Sequence, residues 1–120
     1  MSAEIIEVLG DLVTCKVTGR LTSAELQALQ QATAPIIQSK GQVRLLILVE
    51  DFQGWERGAA WEDFSFQEEN DSHIERMALV GDKKWEELAA AFIGKGLREF
   101  PIEHFGPSEA GEALRWLGKK

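Results

Sequence analysis

Residues 43–49 read VRLLILV, from Val43 to Val49: six aliphatic side chains interrupted only by Arg44. A strand with one wet face alternates polar and apolar positions, because its side chains point to opposite faces in turn. A short run without that alternation fits a strand covered on both faces, which implies a parallel central strand with helices packed above and below it. The flanking sequence supplies the other elements. Ahead of it, Glu4 to Leu9 and Leu12 to Thr18 are apolar-rich segments around Gly10-Asp11, a two-residue hairpin signal. Thr22-Ser-Ala-Glu25 is a capping box: the Thr22 hydroxyl accepts from an orphan amide and Glu25 reaches back. Leu26, Leu29, Ala32, Ile36 and Ile37 then recur near helical spacing, and Gly41 closes the segment. Pro35 inside it predicts a kink or a detached last turn.

Beyond Val49 the pattern predicts a shorter helix over about Ala59 to Asn70, then a strand over Ile74 to Val80 with Arg76 facing out. Asp82 is placed to cap a helix from Lys83 to about Ile93, with Trp85, Leu88, Ala89 and Phe92 on its inner face. Gly94 and Gly96 end it. Phe100 to Phe105 is the last strand, and Pro107 suits the first position of a final helix that carries Ala110, Leu114 and Leu117 inward. The order is ββαβαβαβα. Helix following strand three times implies right-handed crossovers, so the expectation is one α/β domain over 1–120. It has a mostly parallel central sheet, an N-terminal hairpin and covering helices.

Composition narrows the functional classes. The chain has 120 residues and a formal net charge of −7. Residues 50–75 hold nine acids and one base, Arg57, so this stretch carries essentially all of the net charge. An acidic face repels phosphate backbones, which argues against a nucleic-acid partner. No apolar run approaches the roughly 20 residues that span a bilayer, and MSAEIIEV carries no basic region of a signal peptide. The single cysteine, Cys15, rules out an internal disulfide framework and fits a reducing cytoplasm. It lies within an alternating strand pattern and reads as a small core residue.

The segments Ala78-Leu-Val-Gly-Asp-Lys-Lys-Trp85 and Phe105-Gly-Pro-Ser-Glu-Ala-Gly-Glu-Ala-Leu-Arg-Trp-Leu117 resemble the SpoIIAA-like family of small bacterial proteins. That family has the STAS-like fold of sporulation anti-anti-sigma factors and of the cytoplasmic domains of sulfate transporters. It is related in shape to CRAL-TRIO lipid-transfer domains. The resemblance covers almost the whole chain and implies fold more than activity. In anti-anti-sigma factors a phosphorylatable serine lies in a turn beyond the central aliphatic strand. The matching turn here is Glu56-Arg57-Gly58-Ala59, which has no hydroxyl, and Ser65 lies further on inside the expected helix. A phospho-switch needs a hydroxyl at such a position, so no phosphoacceptor is expected.

In an open parallel sheet, ligands collect beyond the carboxyl ends of the strands. Glu50–Gly58, Gly81–Lys84 and Phe105–Ser108 fall there. Five of the ten aromatic residues, Phe52, Trp55, Trp61, Phe64 and Phe66, lie within fifteen positions among carboxylates. They read as core, as an aromatic patch for a protein partner or self-association, or as the cover of an apolar pocket, with Gly54 and Gly58 allowing movement. Trp61 and Phe64, three apart, would share one helix face. Asp82, Lys83 and Lys84 form an anion-binding candidate at a helix start, against the plainer reading in which Asp82 satisfies the amides itself. His73 and His104 have no second ligand at metal spacing. Glu62-Asp63 and Glu68-Glu69 are adjacent pairs whose side chains diverge on a helix. No catalytic triad is legible, and no cofactor or metal is expected. The sequence therefore points to a non-catalytic cytoplasmic binding or interaction module. The alternative is a carrier of a small amphipathic or lipid-like ligand under the 52–66 aromatic segment.

Overall fold

The computed structural model describes residues 3–56, 69–86 and 100–118. Strands β1 (Ala3–Leu9), β2 (Leu12–Leu21), β3 (Val43–Trp55), β4 (Ile74–Val80) and β5 (Ile102–Phe105) form one sheet in sequence order. β1 and β2 pair antiparallel, and every later neighbour is parallel. Helices α1 (Ser23–Lys40) and α2 (Ala110–Leu117) and two 3-10 turns, Asp71–His73 and Lys83–Trp85, complete the described elements. The expected helices over 59–70 and 83–93 lie largely outside the described residues; Glu69, Asn70 and Glu86 are helical.

Gly10 turns the hairpin at φ 59°, a conformation open to glycine at the first position of a two-residue loop. Alternation then sorts the side chains. Val13 and Cys15 of β2, Val43 and Leu45 of β3, and Met77 and Leu79 of β4 join Ile37 of α1 in one core. Leu46 of β3 with Ala78 and Val80 of β4 join Ala113 and Leu117 of α2 in another. The central strand is thus apolar on both sides because each side has its own core. Burial pushes the Cys15 thiol up to about 11, as expected for a packed core sulfur.

Several expectations are corrected. Pro35 does not detach a last turn; α1 runs unbroken from Ser23 to Lys40. Pro35 lies on the exposed face, while Ile37 is buried in the core and Ile36 packs partly against it. Ala32 is exposed, and Thr33 takes the buried place. Its hydroxyl donates to the Leu29 carbonyl at 2.7 Å, so burial leaves the Oγ partnered. Thr22 caps the helix as expected, accepting from the Glu25 amide at 3.1 Å. Pro107 does not open the last helix. Glu109 donates its amide to the Gly106 carbonyl and accepts the Gly106 amide on its carboxylate, forming a turn that delays α2 to Ala110. That start places Ala113 and Leu117 on the sheet and leaves Leu114 45% exposed, one flank away from the buried stripe.

Arg76 does not face free solvent. Its guanidinium donates to the Trp116 carbonyl at 2.7 Å and stands 5.2 Å over the Trp116 ring. Its cross-strand neighbour Arg44 donates to the Leu117 carbonyl at 2.9 Å. The last carbonyls of α2 lack intrahelical partners and carry the negative end of the helix dipole, so two sheet guanidinia complete that terminus. Arg44 also holds Asp11 at 2.6 Å, and this bond keeps the Asp11 carboxyl below its ordinary value of 3.8. The stability this bond contributes is present above pH 3.8 and is lost as pH falls through the lower folded value. Asp11 is well exposed, so the contribution is about 0–1 kcal/mol. Denaturant unfolding of wild type and Asp11→Asn is expected to show a small deficit for the variant at neutral pH that closes below pH 3.8.

Candidate functional site

β3 runs six residues past the aliphatic stretch, where the sequence suggested a loop. Thr18 pairs with Glu50, Gly19 with Phe52, Arg20 with Gly54 and Leu21 with Trp55. Asp51 and Gln53 are therefore extra residues, two bulges in succession. Asp51 takes the left-handed region at φ 49°, which aspartate tolerates better than most side chains. Gly19 at φ 62° and Gly54 at φ 102° supply the remaining turns. The result is a bulged ribbon of β2 and β3 that projects beyond β4. It ends at Glu56, whose amide donates to the Leu21 carbonyl at 2.8 Å and whose carboxylate accepts the Ser23 amide at 3.2 Å. The acid thus joins Thr22 in capping α1.

The three segments expected at the carboxyl ends do converge. Gly81 donates its amide to the Phe105 carbonyl at 3.0 Å, tying the ends of β4 and β5 together. Gly81 also backs directly onto β3: a Cβ there would fall 2.9 Å from Val49 Cβ. Asp82 then accepts the Lys84 amide at 3.0 Å, capping a single 3-10 turn over Lys83–Trp85. This turn throws Trp85 against the projecting ribbon. Its ring meets Phe52 edge to face, with centroids 5.0 Å apart at 77°, a favoured aromatic geometry. Gly54 faces the indole, and a Cβ there would make an ordinary contact with it at 3.7 Å. Lys84 Nζ lies 5.6 Å from the same ring. Behind the turn, Glu86 bonds His104 of β5 at 3.0 Å.

Val49, Asp51, Phe52, Asp82, Lys84 and Trp85 together line a cleft of about 170 Å³. Of the five aromatics singled out in sequence, Phe52 reaches this cleft. Trp55 closes β3 opposite Leu21; its side chain, with Trp61, Phe64 and Phe66, lies outside the described residues. Of the anion candidate, Asp82 and Lys84 line the cleft and Lys83 is exposed beside it. Trp85 was assigned to a helix interior and belongs to the cleft. The usable signal is its place, five residues past the end of β4. His73 Nδ1 donates to the Gly41 carbonyl at 2.7 Å, a link between loops at the opposite end of the sheet. Among the described residues no group of three His, Cys, Asp or Glu could hold a metal ion, and no helix is long and apolar enough to cross a membrane.

The model of the SpoIIAA-like family matches residues 12–118. The chain is also similar in structure to an uncharacterised protein with a SpoIIAA-like fold from Shewanella loihica. The TM-score is 0.65 at 22% identity, over 96% of this chain and 91% of that one. No curated protein matches the chain. The match spans every described strand except β1, and the sheet order, the parallel crossovers and the terminal helix are those of the fold. The chain belongs to the SpoIIAA-like family.

Proposed function

We propose that this chain is a non-catalytic cytoplasmic interaction module, and that its partner, another protein or a second copy, contacts the carboxyl-end rim of the sheet around Phe52, Lys84 and Trp85. The observation that carries the reading is the cleft itself. It holds about 170 Å³, against roughly 300–1,000 Å³ for ordinary small-molecule pockets. Half of its six lining residues are charged. A carrier of a lipid-like molecule needs a larger, closed apolar cavity for the tail than this cleft among the described residues provides. A ridge of two half-buried rings beside exposed charges is instead the composition of a protein contact site. Three titratable groups near the rim take part in structural bonds: Asp82 with an amide, Glu56 with a helix terminus and His104 with Glu86. That supports a binding role over acid–base chemistry.

Site-specific photo-cross-linking in bacterial cells tests the assignment. A benzoylphenylalanine at Lys84 is expected to yield one discrete protein adduct, and the same group at Gln38 on the exposed face of α1 none. No adduct from position 84, or the same adducts from both positions, would overturn the rim as the contact surface.

A further inference from the structure

We propose that the cleft accepts a basic side chain, an arginine, from an extended segment of the protein partner; this rests on the interaction reading above. The lining places two carboxylates, Asp51 and Asp82, against one ammonium, Lys84. That ammonium stands over its own Trp85, where it meets the negative face of the ring. Asp82 Oδ1 accepts the Lys84 amide, and an ionised carboxylate has lone pairs for more than one donor. Asp51 is exposed on the rim, turned there by the bulge that gives it φ 49°. The half-buried rings of Phe52 and Trp85 share the lining with the two acids. A cleft lined by two aromatic rings and two carboxylates suits a planar guanidinium, which stacks and donates in a fixed fork. It suits a carboxylate or phosphate less well, since either would face two like charges. The rest of the chain agrees. Its net charge is −7, and Glu50, Asp51 and Glu56 stand at or just past this end of β3. Such a field attracts basic segments from a distance and gives them a faster encounter.

The test is an NMR titration of the isotope-labelled full chain with three capped heptapeptides that alternate glycine with arginine, with lysine or with glutamate. The arginine peptide is expected to give saturable shifts confined to the amides of residues 49–54 and 82–85. Its affinity should exceed that of the lysine peptide by about threefold, because lysine lacks the fork and the stacking plane. The combined Asp51→Asn and Asp82→Asn variant keeps a side chain that tolerates the left-handed region and one that still caps the turn. It is expected to weaken the arginine peptide about fivefold or more, since both charge-assisted bonds are lost. Three results would each overturn the proposal: arginine-peptide shifts spread over the acidic surface and unchanged in the variant; shifts at Lys83 and Lys84 with the glutamate peptide alone; or no shifts with any peptide. If cross-linking at Lys84 nonetheless gives its adduct, only the chemistry of the occupant is wrong. If the adduct is absent, the interaction reading itself has failed, whatever the peptides do.

Discussion

Replacing Ile37 with alanine is expected to lower the unfolding free energy by about 2–5 kcal/mol, because a fully buried side chain is cut back and the surroundings relax only in part. Ile37 is 0% exposed and packs into the core that Val13, Val43, Leu45 and Ile74 build on one side of the sheet. These residues come from β2, β3 and β4, elements clamped by the sheet, so the space left by three missing carbons cannot close easily. A domain of this length loses roughly 3–6 °C of Tm per kcal/mol, so the shift should exceed about 6 °C. Leu114→Ala is the natural comparison, since helical periodicity made Leu114 look equally internal. It stands 45% exposed, and its loss should cost less than about 1 kcal/mol. Chemical denaturation of the two variants side by side checks both. A Leu114→Ala cost equal to that of Ile37→Ala would contradict the register of α2.

The second large effect is expected at Gly81. Alanine there would put Cβ 2.9 Å from Val49 Cβ and 3.2 Å from the Val49 carbonyl oxygen. Flexible side-chain ends can yield to such a contact, but these atoms are fixed by the backbone of a strand paired on its other side to Val17. The overlap is relieved only if the ends of β3 and β4 separate, which strains the Gly81 bond to Phe105 and the turn carrying Lys84 and Trp85. Overpacking of this kind costs about 1–3 kcal/mol. The substitution should therefore both lower the denaturation midpoint and shift the Trp85 indole resonance. Gly111 supplies the contrast: a Cβ there meets nothing within 4 Å, so Gly111→Ala should be neutral or stabilising. A Gly81→Ala protein as stable as wild type would show that the strand ends are not packed as described.

The contrast between Val43–Val49 and the residues after it explains how far the sequence could be read. The aliphatic run was legible because both of its faces meet helices, so burial left no polar positions to confuse the period. The strand beyond Val49 was not legible: Glu50, Asp51 and Gly54 have the composition of a loop. What keeps them extended is pairing with Thr18 to Leu21, a contact more than thirty positions away that no local pattern encodes. The same holds for Arg44 and Arg76. Arg44 reads as a lone charge in an apolar strand and Arg76 as the neighbour of Glu75, yet the partner of each is the carbonyl end of a helix many residues downstream. Capping was legible at Thr22 and Asp82 because those bonds close within three residues. At the candidate site, topology alone located the rim. Trp85 was misplaced because one 3-10 turn aims its ring at Gly54 and Phe52, where an ideal helix would have turned it inward. The long-range cap of α1 by Glu56 was invisible for the same reason as the arginines.

The central claim is that this fold works by surface contact at its carboxyl rim rather than by enclosing a ligand. Native mass spectrometry of the full chain, purified gently without detergent, puts that claim to the most direct test. The account predicts spectra made up of whole protein chains alone, whether one copy, two copies or a complex with another protein. An additional bound mass of lipid size, retained in the native spectrum and lost on denaturation, would contradict it and make the chain a carrier.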